Sequence, residues 1–525
     1  MPPSTSELFS AIGSRAFVGK HPVKKLIPVA LVLSMLLPPV CAAHVGSPDV
    51  YFQGNAGPYH LIVMIRTPQM IPGVAEFEIR SDTPGIRDIK IVPLYIVGEG
   101  SKYPPPPDIV KPIAGDPQFF AGKLWLMGSG SWQVRIEADG DQGSGTVAVP
   151  VPAYARNTLA MQRGLGILLF GLMLLLVVAI VSIVGAAKRE GQLQSGERPT
   201  ARQKRGSRLV MAATLLAVIG VLALGNMWWR VSAANRADRM IYVAPKLGVT
   251  LDPTGRMNLE IGDSKWHSGR AEIVGTALIP DHGHLMHLFL VREPAMDRFY
   301  HLHPDRTGTM TFAEDLPPIA SGHYKAFADI VRASGFPDTL VADIDIPDLS
   351  GKPLAGDDAE ATAPALMDST QSSTIAPLAN GARMIWERDS TPLVSDRLLW
   401  FKFRVEDANG KPATDLEPYM GIAGHAQFIR SDFSVFAHVH PDGSIPMAAY
   451  DLAEATLGAN SGNSNSGETQ AGNMPGMAMM SPNSTPTSPE VSFPYGFPKP
   501  GLYRIFIQVK RAGKIETGVF DANVN

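Results

Sequence analysis

The chain has 525 residues, of which 45% are hydrophobic and 18% charged, and its formal net charge is -3. This length exceeds what one ordinary hydrophobic core organises, so we expect three or more domains. The near-neutral charge, with no basic stripe interleaved with aromatic residues, argues against nucleic acid as a partner.

The N-terminus has the pattern of a secretory signal. Three lysines between positions 20 and 25 precede an apolar stretch, 26–40, and Cys41-Ala42-Ala43 follows it. We therefore expect residues 1–43 to be a cleaved signal peptide, with an uncleaved anchor as the alternative. A lipoprotein is disfavoured because Pro38 stands where a lipobox has an aliphatic residue. Cleavage would remove the single cysteine and so exclude disulfides, zinc–thiolate sites and a blue-copper centre.

Cleavage after Ala43 would make His44 the first residue of the mature protein. Its free amine and imidazole could then chelate one ion, and His60 could complete the site. This start resembles those of CopC-type copper-resistance proteins and of histidine-brace oxygenases, and the resemblance implies copper. The alternative is that His44 is an incidental terminal residue.

The region 44–160 predicts an extracytoplasmic β-sandwich. Short strand-like runs, such as 59–65 and 132–136, alternate with glycine and proline punctuation. Such spacing is typical of two packed antiparallel sheets.

Two apolar segments follow, 164–187 and 209–229, and each is long enough to cross a bilayer. The loop between them, 188–208, carries seven lysines and arginines against two glutamates. The positive-inside rule puts this loop in the cytoplasm. Both large flanking regions are then predicted to lie outside the cytoplasmic (inner) membrane, which agrees with an N-terminal secretory signal.

An internal duplication follows the second span. Residues 240–350, the first unit, and residues 376–525, the second unit, share four landmarks in the same order. These are Gly-His, His-x-His-Pro-Asp, a Gly-x-Tyr strand and a closing Gly turn, at 283–284, 301–305, 322–327 and 335–339 in the first unit and at 424–425, 438–442, 501–506 and 513–517 in the second. Residues 351–375 have the composition of a linker, and residues 459–490 that of a disordered insertion.

The histidines of the second unit are predicted to converge on one ion. In a strand, alternate residues face the same way, so His438 and His440 project from one face about 6.5 Å apart. The runs 425–430 and 433–440, with Ser431-Asp432 between them, predict a hairpin that brings His425 opposite His438 or His440. The result would be a three-histidine site.

The first unit predicts a similar site. His301 and His303 share a face, and a turn through Glu293-Pro294 would bring His284 opposite them, with His282 on the same face as His284. His287 is assigned to the opposite face as a packing or supporting residue. Asp305 and Asp442 could orient an imidazole or bind an ion directly, and His323 is interpreted as structural. The alternative for the whole pattern is that the histidines end strands and cap carbonyls.

A methionine cluster in the insertion is a separate signal. Thioethers are soft ligands that favour Cu(I), and a Met-rich loop suits capture and transfer of that ion. The alternative is simple low complexity. The four methionines are Met474, Met477, Met479 and Met480.

The second unit resembles the YtkA-like and CopC-like immunoglobulin-fold domains of bacterial envelopes. The resemblance lies in Glu417-Pro-Tyr-Met-Gly421, Gly424-His425 and His438-Val-His-Pro441, and it extends more loosely to the first unit, which lacks the Glu-Pro-Tyr element. It implies a small β-sandwich with a metal site at its edge, an association with copper or other heavy metals, and binding rather than catalysis.

The sequence as a whole predicts a mainly β protein of three immunoglobulin-like β-sandwich domains with two transmembrane helices. We expect one metal site in each unit, with copper the favoured ion and zinc the second choice. The expected role is sequestration, buffering or delivery, with another envelope copper protein as a possible recipient. No catalytic motif competes with this interpretation. The alternatives are an adhesion module with structural histidines and a copper-dependent enzyme.

Overall fold

The fold is that of a computed structural model, which describes residues 49–263, 277–366, 373–460 and 488–525. The predicted signal peptide, Cys41, His44 and the methionine cluster lie outside these residues. The chain is mainly β, with 46% of residues in strands and 20% in helices, as the sequence predicts. The described residues belong to one compact unit that runs from His44 to Asn525.

The N-terminal domain, residues 49–155, is an eight-stranded antiparallel sheet in the order β1-β2-β3-β6-β5-β4-β7-β8. Its strands are β1 Val50–Ala56, β2 Tyr59–Arg66, β3 Gly73–Ser81, β4 Ile86–Tyr95, β5 Asp108–Ile113, β6 Asp116–Leu126, β7 Gly130–Gly140 and β8 Gly143–Ala153. Alternate residues of these strands, such as Leu61, Val63 and Ile65 in β2, enter one apolar core. The two ends of the sheet therefore pack on each other with their apolar faces inward, because alternate residues of each strand point to the same face.

Two long apolar helices follow, α1 Arg163–Glu190 and α2 Ala201–Met240. Both are long and apolar enough to cross a membrane. The basic segment between the predicted spans is partly helical, because Thr200 and Gln203 form a reciprocal capping box at the start of α2. The segments that flank the outer ends of the helix pair meet, since the Tyr242 backbone N–H donates to the Ala155 carbonyl at 2.8 Å.

The first unit is a sandwich of two antiparallel sheets over one core. The smaller sheet has the order β14-β15-β10-β9, and the larger has β12 between β16 and β13, with β17 on the far side of β16 and β18 beyond β13. The strands are β9 Leu247–Leu251, β10 Arg256–Ile261, β11 Leu278–Ile279, β12 His287–Glu293, β13 Arg298–Leu302, β14 Asp305–Arg306, β15 Thr311–Asp315, β16 Gly322–Arg332, β17 Pro337–Ile346 and β18 Ala359–Thr362. Part of the segment expected to be a linker thus forms a strand, because β18 pairs with β13.

The second unit repeats this arrangement. Its larger sheet has β23 between β26 and β24, with β27 on the far side of β26, and its smaller sheet has the order β19-β20-β21-β25. The elements are β19 Ile375–Pro377, β20 Arg383–Glu387, β21 Leu399–Glu406, β22 Leu416–Glu417, β23 His425–Arg430, β24 Phe436–Val439, α3 Met447–Asn460, β25 Glu490–Tyr495, β26 Gly501–Arg511 and β27 Lys514–Val524. The predicted hairpin is present, with Gln427 opposite His438.

The two units pack through the outer faces of their larger sheets. Phe327 of the first unit stacks on Phe436 of the second, with ring centroids 4.3 Å apart, and Phe299 stacks on Phe506 at 4.1 Å. The buried guanidinium of Arg504 crosses the interface and donates to the Met296 carbonyl at 2.9 Å. Both sheets are therefore buried on both faces.

The N-terminal domain contacts the second unit as well. The Gln53 backbone N–H donates to the Asp442 carbonyl at 2.9 Å, and the Ser444 N–H donates to the Tyr51 carbonyl at 2.9 Å. Helix α3 lies against β8, where the Glu454 carboxylate accepts from the Ala148 N–H at 2.7 Å. The His-x-His-Pro loop of the second unit is thus held on the N-terminal domain.

The stacked phenylalanines predict a large loss of stability when one is removed. Replacing Phe436, which is 1% exposed, by alanine should lower the free energy of unfolding by about 3–5 kcal/mol, because it removes buried apolar area and leaves a cavity. Urea unfolding of the full chain in detergent measures the change. A matched Tyr103→Ala variant, at a position that is 75% exposed, should stay within about 0.5 kcal/mol of the parent.

Candidate metal centre

Eight histidines form one cluster between the two units rather than two separate sites. Centroids of neighbouring rings lie between 4.0 and 6.3 Å apart. The histidine cluster consists of His282, His284, His287, His301 and His303 from the first unit and His425, His438 and His440 from the second.

Strand alternation brings these rings to the interface. In β12, Leu288 and Leu290 enter the core of the first unit, so His287 and Phe289 face the second unit. In the second unit, Ala437 and Val439 enter the core, so the residues between and beyond them face the first unit. The edge site that the family resemblance implies is therefore not what the structure has: His301 and His425 are each 0% exposed.

The first triad comprises His287, His301 and His303, and one nitrogen from each lies within 4.8 Å of the others. The closest pair is His287 Nδ1 and His301 Nε2, at 3.1 Å. All three residues belong to the first unit. Two come from β13 and the turn after it, and His287 begins the neighbouring strand β12.

Hydrogen bonds around the first triad determine which nitrogens carry protons. His287 Nε2 lies 3.1 Å from the Asp281 carbonyl oxygen, which only accepts, so Nε2 is the protonated nitrogen. His301 Nδ1 donates to Gln508 Oε1 at 2.8 Å and also lies 3.3 Å from the Tyr419 hydroxyl, whose proton goes to the Asp357 carbonyl. His287 Nδ1 and His301 Nε2 therefore face each other as two lone pairs.

His303 completes this arrangement. Its Nδ1 donates to the Asp358 carboxylate at 2.9 Å, and its buried Nε2 has no hydrogen-bond partner within the described part of the chain. Three unprotonated nitrogens thus converge, and each ring is oriented through its other nitrogen. Carbonyl, amide and carboxylate partners of this kind orient the imidazole ligands of protein-bound metals.

The second triad comprises His282, His425 and His440, with ligand nitrogens again within 4.8 Å of one another. His282 Nδ1 donates to the Met420 carbonyl at 3.0 Å, and His440 Nδ1 donates to the Ile445 carbonyl at 3.2 Å. The Nε2 atoms of both rings, and both nitrogens of His425, lack hydrogen-bond partners among the described residues.

Two histidines of the cluster belong to neither triad. His438 lies between the triads, with its Nδ1 3.4 Å from Asp329 Oδ2 and with its Nε2 unpartnered in the described residues. His284 packs on His303 with ring centroids 4.0 Å apart, and its Nε2 lies 3.3 Å from Asp357. Both rings are close enough to the triads to change the environment of a bound ion.

The cluster favours neutral imidazoles. Burial, followed by the neighbouring imidazoles, holds the pKa of four histidines well below its ordinary value: His287, His301, His425 and His438. Burial and the nearby His282 lower the pKa of His440 to about 3. Neutral imidazole is the form that binds a metal ion.

A cavity of about 120 Å³ borders the cluster at the junction of the three domains. Its wall includes His284, His287, His438 and the carboxyl of Asp329, whose pKa burial raises to about 7. The cavity gives small ions and water a space next to the imidazoles.

The structure differs from the sequence interpretation at several positions. His287, assigned to the opposite face, is a member of the first triad, because β12 begins at His287 and not at His284. His282 joins the second unit's histidines instead of its own. Asp358, not Asp305, orients His303. The sequence feature that could have identified His287 is its spacing of two residues from Phe289, because alternate residues of a strand share a face and Phe289 lies on the face buried between the units.

Of the other predicted site residues, the structure describes His60, which is not in the cluster. His60 lies in β2 of the N-terminal domain, where its Nδ1 is 3.4 Å from Asp82. His44 and the four methionines lie outside the described residues. His323 sits in an exposed group with Glu293 and Asp343, but Lys325 already supplies a cation to both carboxylates.

Comparisons with known proteins give no functional assignment. A family described as a domain of unknown function, DUF8832, matches residues 379–525, which cover most of the second unit. No curated protein sequence matches the chain.

The solved structures to which the chain is similar have low TM-scores and low sequence identity. One is a chain from a structure that concerns host cell surface retention of a 1.5-MDa bacterial ice-binding adhesin, with 5% identity, a TM-score of 0.13, and coverage of 86% of this chain and 91% of that one. The Salmonella alpha-2-macroglobulin reacted with methylamine has 10% identity and a TM-score of 0.19 over 92% of this chain and 24% of that one. A putative membrane anchored protein from Corynebacterium diphtheriae has 7% identity and a TM-score of 0.14 over 90% and 94% of the two chains. These similarities do not define a function.

Burial of neutral histidines predicts that the metal-free protein loses stability in acid. Below the ordinary histidine pKa of about 6.5, the unfolded chain takes up protons that the folded cluster excludes. The free energy of unfolding should therefore fall as pH decreases below 6.5, by about 1 kcal/mol between pH 6.5 and 5.5 for each such histidine. Urea unfolding of the metal-free chain at pH 6.5, 6.0 and 5.5 measures this slope.

A His440→Gln variant provides the matched test of that slope. It should reduce the fall in the free energy of unfolding between pH 6.5 and 5.5 by about 1 kcal/mol, because one fewer imidazole takes up a proton on unfolding. An unchanged slope in the His440 variant would mean that this ring is protonated in the folded state.

Proposed function

We propose that this protein is a membrane-anchored, extracytoplasmic metal-binding protein that holds copper in the histidine cluster. Its role would be sequestration, buffering or delivery of copper in the cell envelope. The observation that supports this most directly is the 3.1 Å contact between His287 Nδ1 and His301 Nε2. Both atoms carry lone pairs, because the other nitrogen of each ring donates to an acceptor.

Two facing lone pairs repel each other unless a proton or a metal ion lies with them. Protonation is unfavourable here, because burial holds the pKa of both rings well below its ordinary value. A metal ion satisfies both nitrogens and also the unpartnered Nε2 of His303. Leaving three buried acceptors without a partner would cost free energy that coordination recovers.

Copper fits the ligands better than the alternatives. Imidazole nitrogens suit copper and zinc, and for a given nitrogen site Cu²⁺ binds more tightly than Zn²⁺. The sequence of the second unit also contains thioethers, Met474 among them, which are ligands for Cu(I). The resemblance of the second unit to YtkA-like and CopC-like domains points to the same metal. Zinc is the second candidate.

The proposed location rests on two features of the chain. The helices α1 and α2 could span a membrane, and the segment between them is basic, which favours a cytoplasmic loop. The contact between Tyr242 and Ala155 joins the segments that flank the outer ends of the two helices. The three β-domains would then lie on the outer side of the cytoplasmic membrane, where an N-terminal signal would direct them.

Copper titration of the full chain tests the proposal. The purified protein in detergent, stripped of metal, should bind copper stoichiometrically in competition with a chelator. Replacing the four His-x-His-Pro histidines, His301, His303, His438 and His440, by glutamine should abolish this binding. His323→Gln is the control and should bind as the parent does. Absence of stoichiometric binding by the parent would reject the proposal.

The carboxylate behind His303 predicts a smaller effect. Asp358→Ala removes the acceptor that fixes the His303 ring, and loss of such a partner typically lowers metal affinity by about 10–100-fold. Chelator competition should show this decrease for the ion at the first triad. Asp305→Ala, at an exposed carboxylate in the same loop region, is the matched control and should bind copper like the parent.

A further inference from the structure

We propose that the cluster binds two ions side by side, and that the second ion occupies a triad shared between the two units. This inference rests on the proposed function and extends it from one site to a paired centre. The shared triad combines His282 from the first unit with His425 and His440 from the second.

Each ring of the second triad has a buried nitrogen with no hydrogen-bond partner among the residues that the structure describes. The Nδ1 atoms of His282 and His440 donate to carbonyl oxygens at 3.0 and 3.2 Å, so their Nε2 atoms carry lone pairs. His425 is 0% exposed, and neither of its nitrogens has a hydrogen-bond partner in the described residues. Burying an imidazole without hydrogen-bond partners raises the free energy of the folded protein, and binding an ion to one of its nitrogens removes much of that penalty.

The backbone conformation of one turn directs the His282 side chain towards the second unit. His282 and Gly283 have φ angles of 50° and 89°, and they form a tight turn closed by hydrogen bonds between Asp281 and His284. The same turn supplies the Asp281 carbonyl that orients His287 of the first triad. One turn therefore serves both triads, contributing a ligand to the second and an orienting group to the first.

The two triads are neighbours in one chamber. Ring centroids of His301 and His425 are 6.1 Å apart, and those of His282 and His287 are 6.3 Å apart. His438 lies between them, 5.7 Å from His301 and 5.3 Å from His425, with an unpartnered Nε2 within the described ranges. Ions held at both triads are close enough to interact magnetically.

The test is electron paramagnetic resonance of the full chain in detergent during titration with Cu(II). One equivalent should give the spectrum of an isolated Cu(II). The second equivalent should broaden that signal and add a half-field transition, because two nearby spins couple. His323→Gln, outside the cluster, should behave as the parent does.

Variants of the shared triad separate this proposal from the previous one. His282→Gln should bind one equivalent and never show coupling, and His440→Gln should do the same. His303→Gln should also bind one equivalent, held by the second triad alone. A parent that binds one ion, or two uncoupled ions, would overturn the paired centre while leaving copper binding intact, and a parent that binds no copper would overturn both proposals.

Discussion

The architecture depends on the packing of two sheet faces that would otherwise be exposed to water. Each unit already has its own core, so the outer faces of the larger sheets could have been polar. They instead carry aromatic rings at one end, such as Phe327 against Phe436, and imidazoles at the other. The phenylalanines supply the apolar burial that holds the faces together, at roughly 1.5–3 kcal/mol for each ring. The histidines are desolvated as a consequence of this packing.

The duplication explains how the rings are oriented across the interface. Asp329 in β16 and Gln508 in β26 occupy equivalent positions, each two residues after an interface phenylalanine. Gln508 accepts from His301 of the other unit at 2.8 Å, and Asp329 lies 3.4 Å from His438 of the other unit. Each unit therefore positions the first histidine of its partner's His-x-His-Pro motif. A single unit in isolation would lack that partner.

The sequence predicted the mainly β fold, the two long apolar helices and the hairpin of the second unit, because apolar length, alternation and turn chemistry are local signals. It did not predict helix α3, and it began the hairpin of the first unit at His284 instead of His287. The hairpin of β23 and β24 brought His425 beside His438 and His440 as expected. The merging of two sites into one cluster was not predictable from one unit, because it depends on which face of each sheet packs on the other. Strands β12 and β23 are buried along almost their whole length, as strands covered on both faces are. In β12 the sequence signal for this packing is the continuous apolar run 288–291, which does not alternate with polar residues.

A difference between the repeats produces the asymmetry of the cluster. The sequence pairs Gly283-His284 with Gly424-His425, but in the structure the turn Asp281-His282-Gly283-His284 corresponds to Tyr419-Met420-Gly421-Ile422, and His282 and Met420 have the same φ of 50°. The structural counterpart of His425 is His287, since each begins the strand that pairs with the Gly-x-Tyr strand of its unit. The backbone is thus retained while the side chains differ, and only the first unit's turn supplies an imidazole to the other unit. That imidazole is held by the Met420 carbonyl, so the second turn contributes through its backbone. The second triad therefore forms only when the two units are packed together, because its three histidines come from both of them.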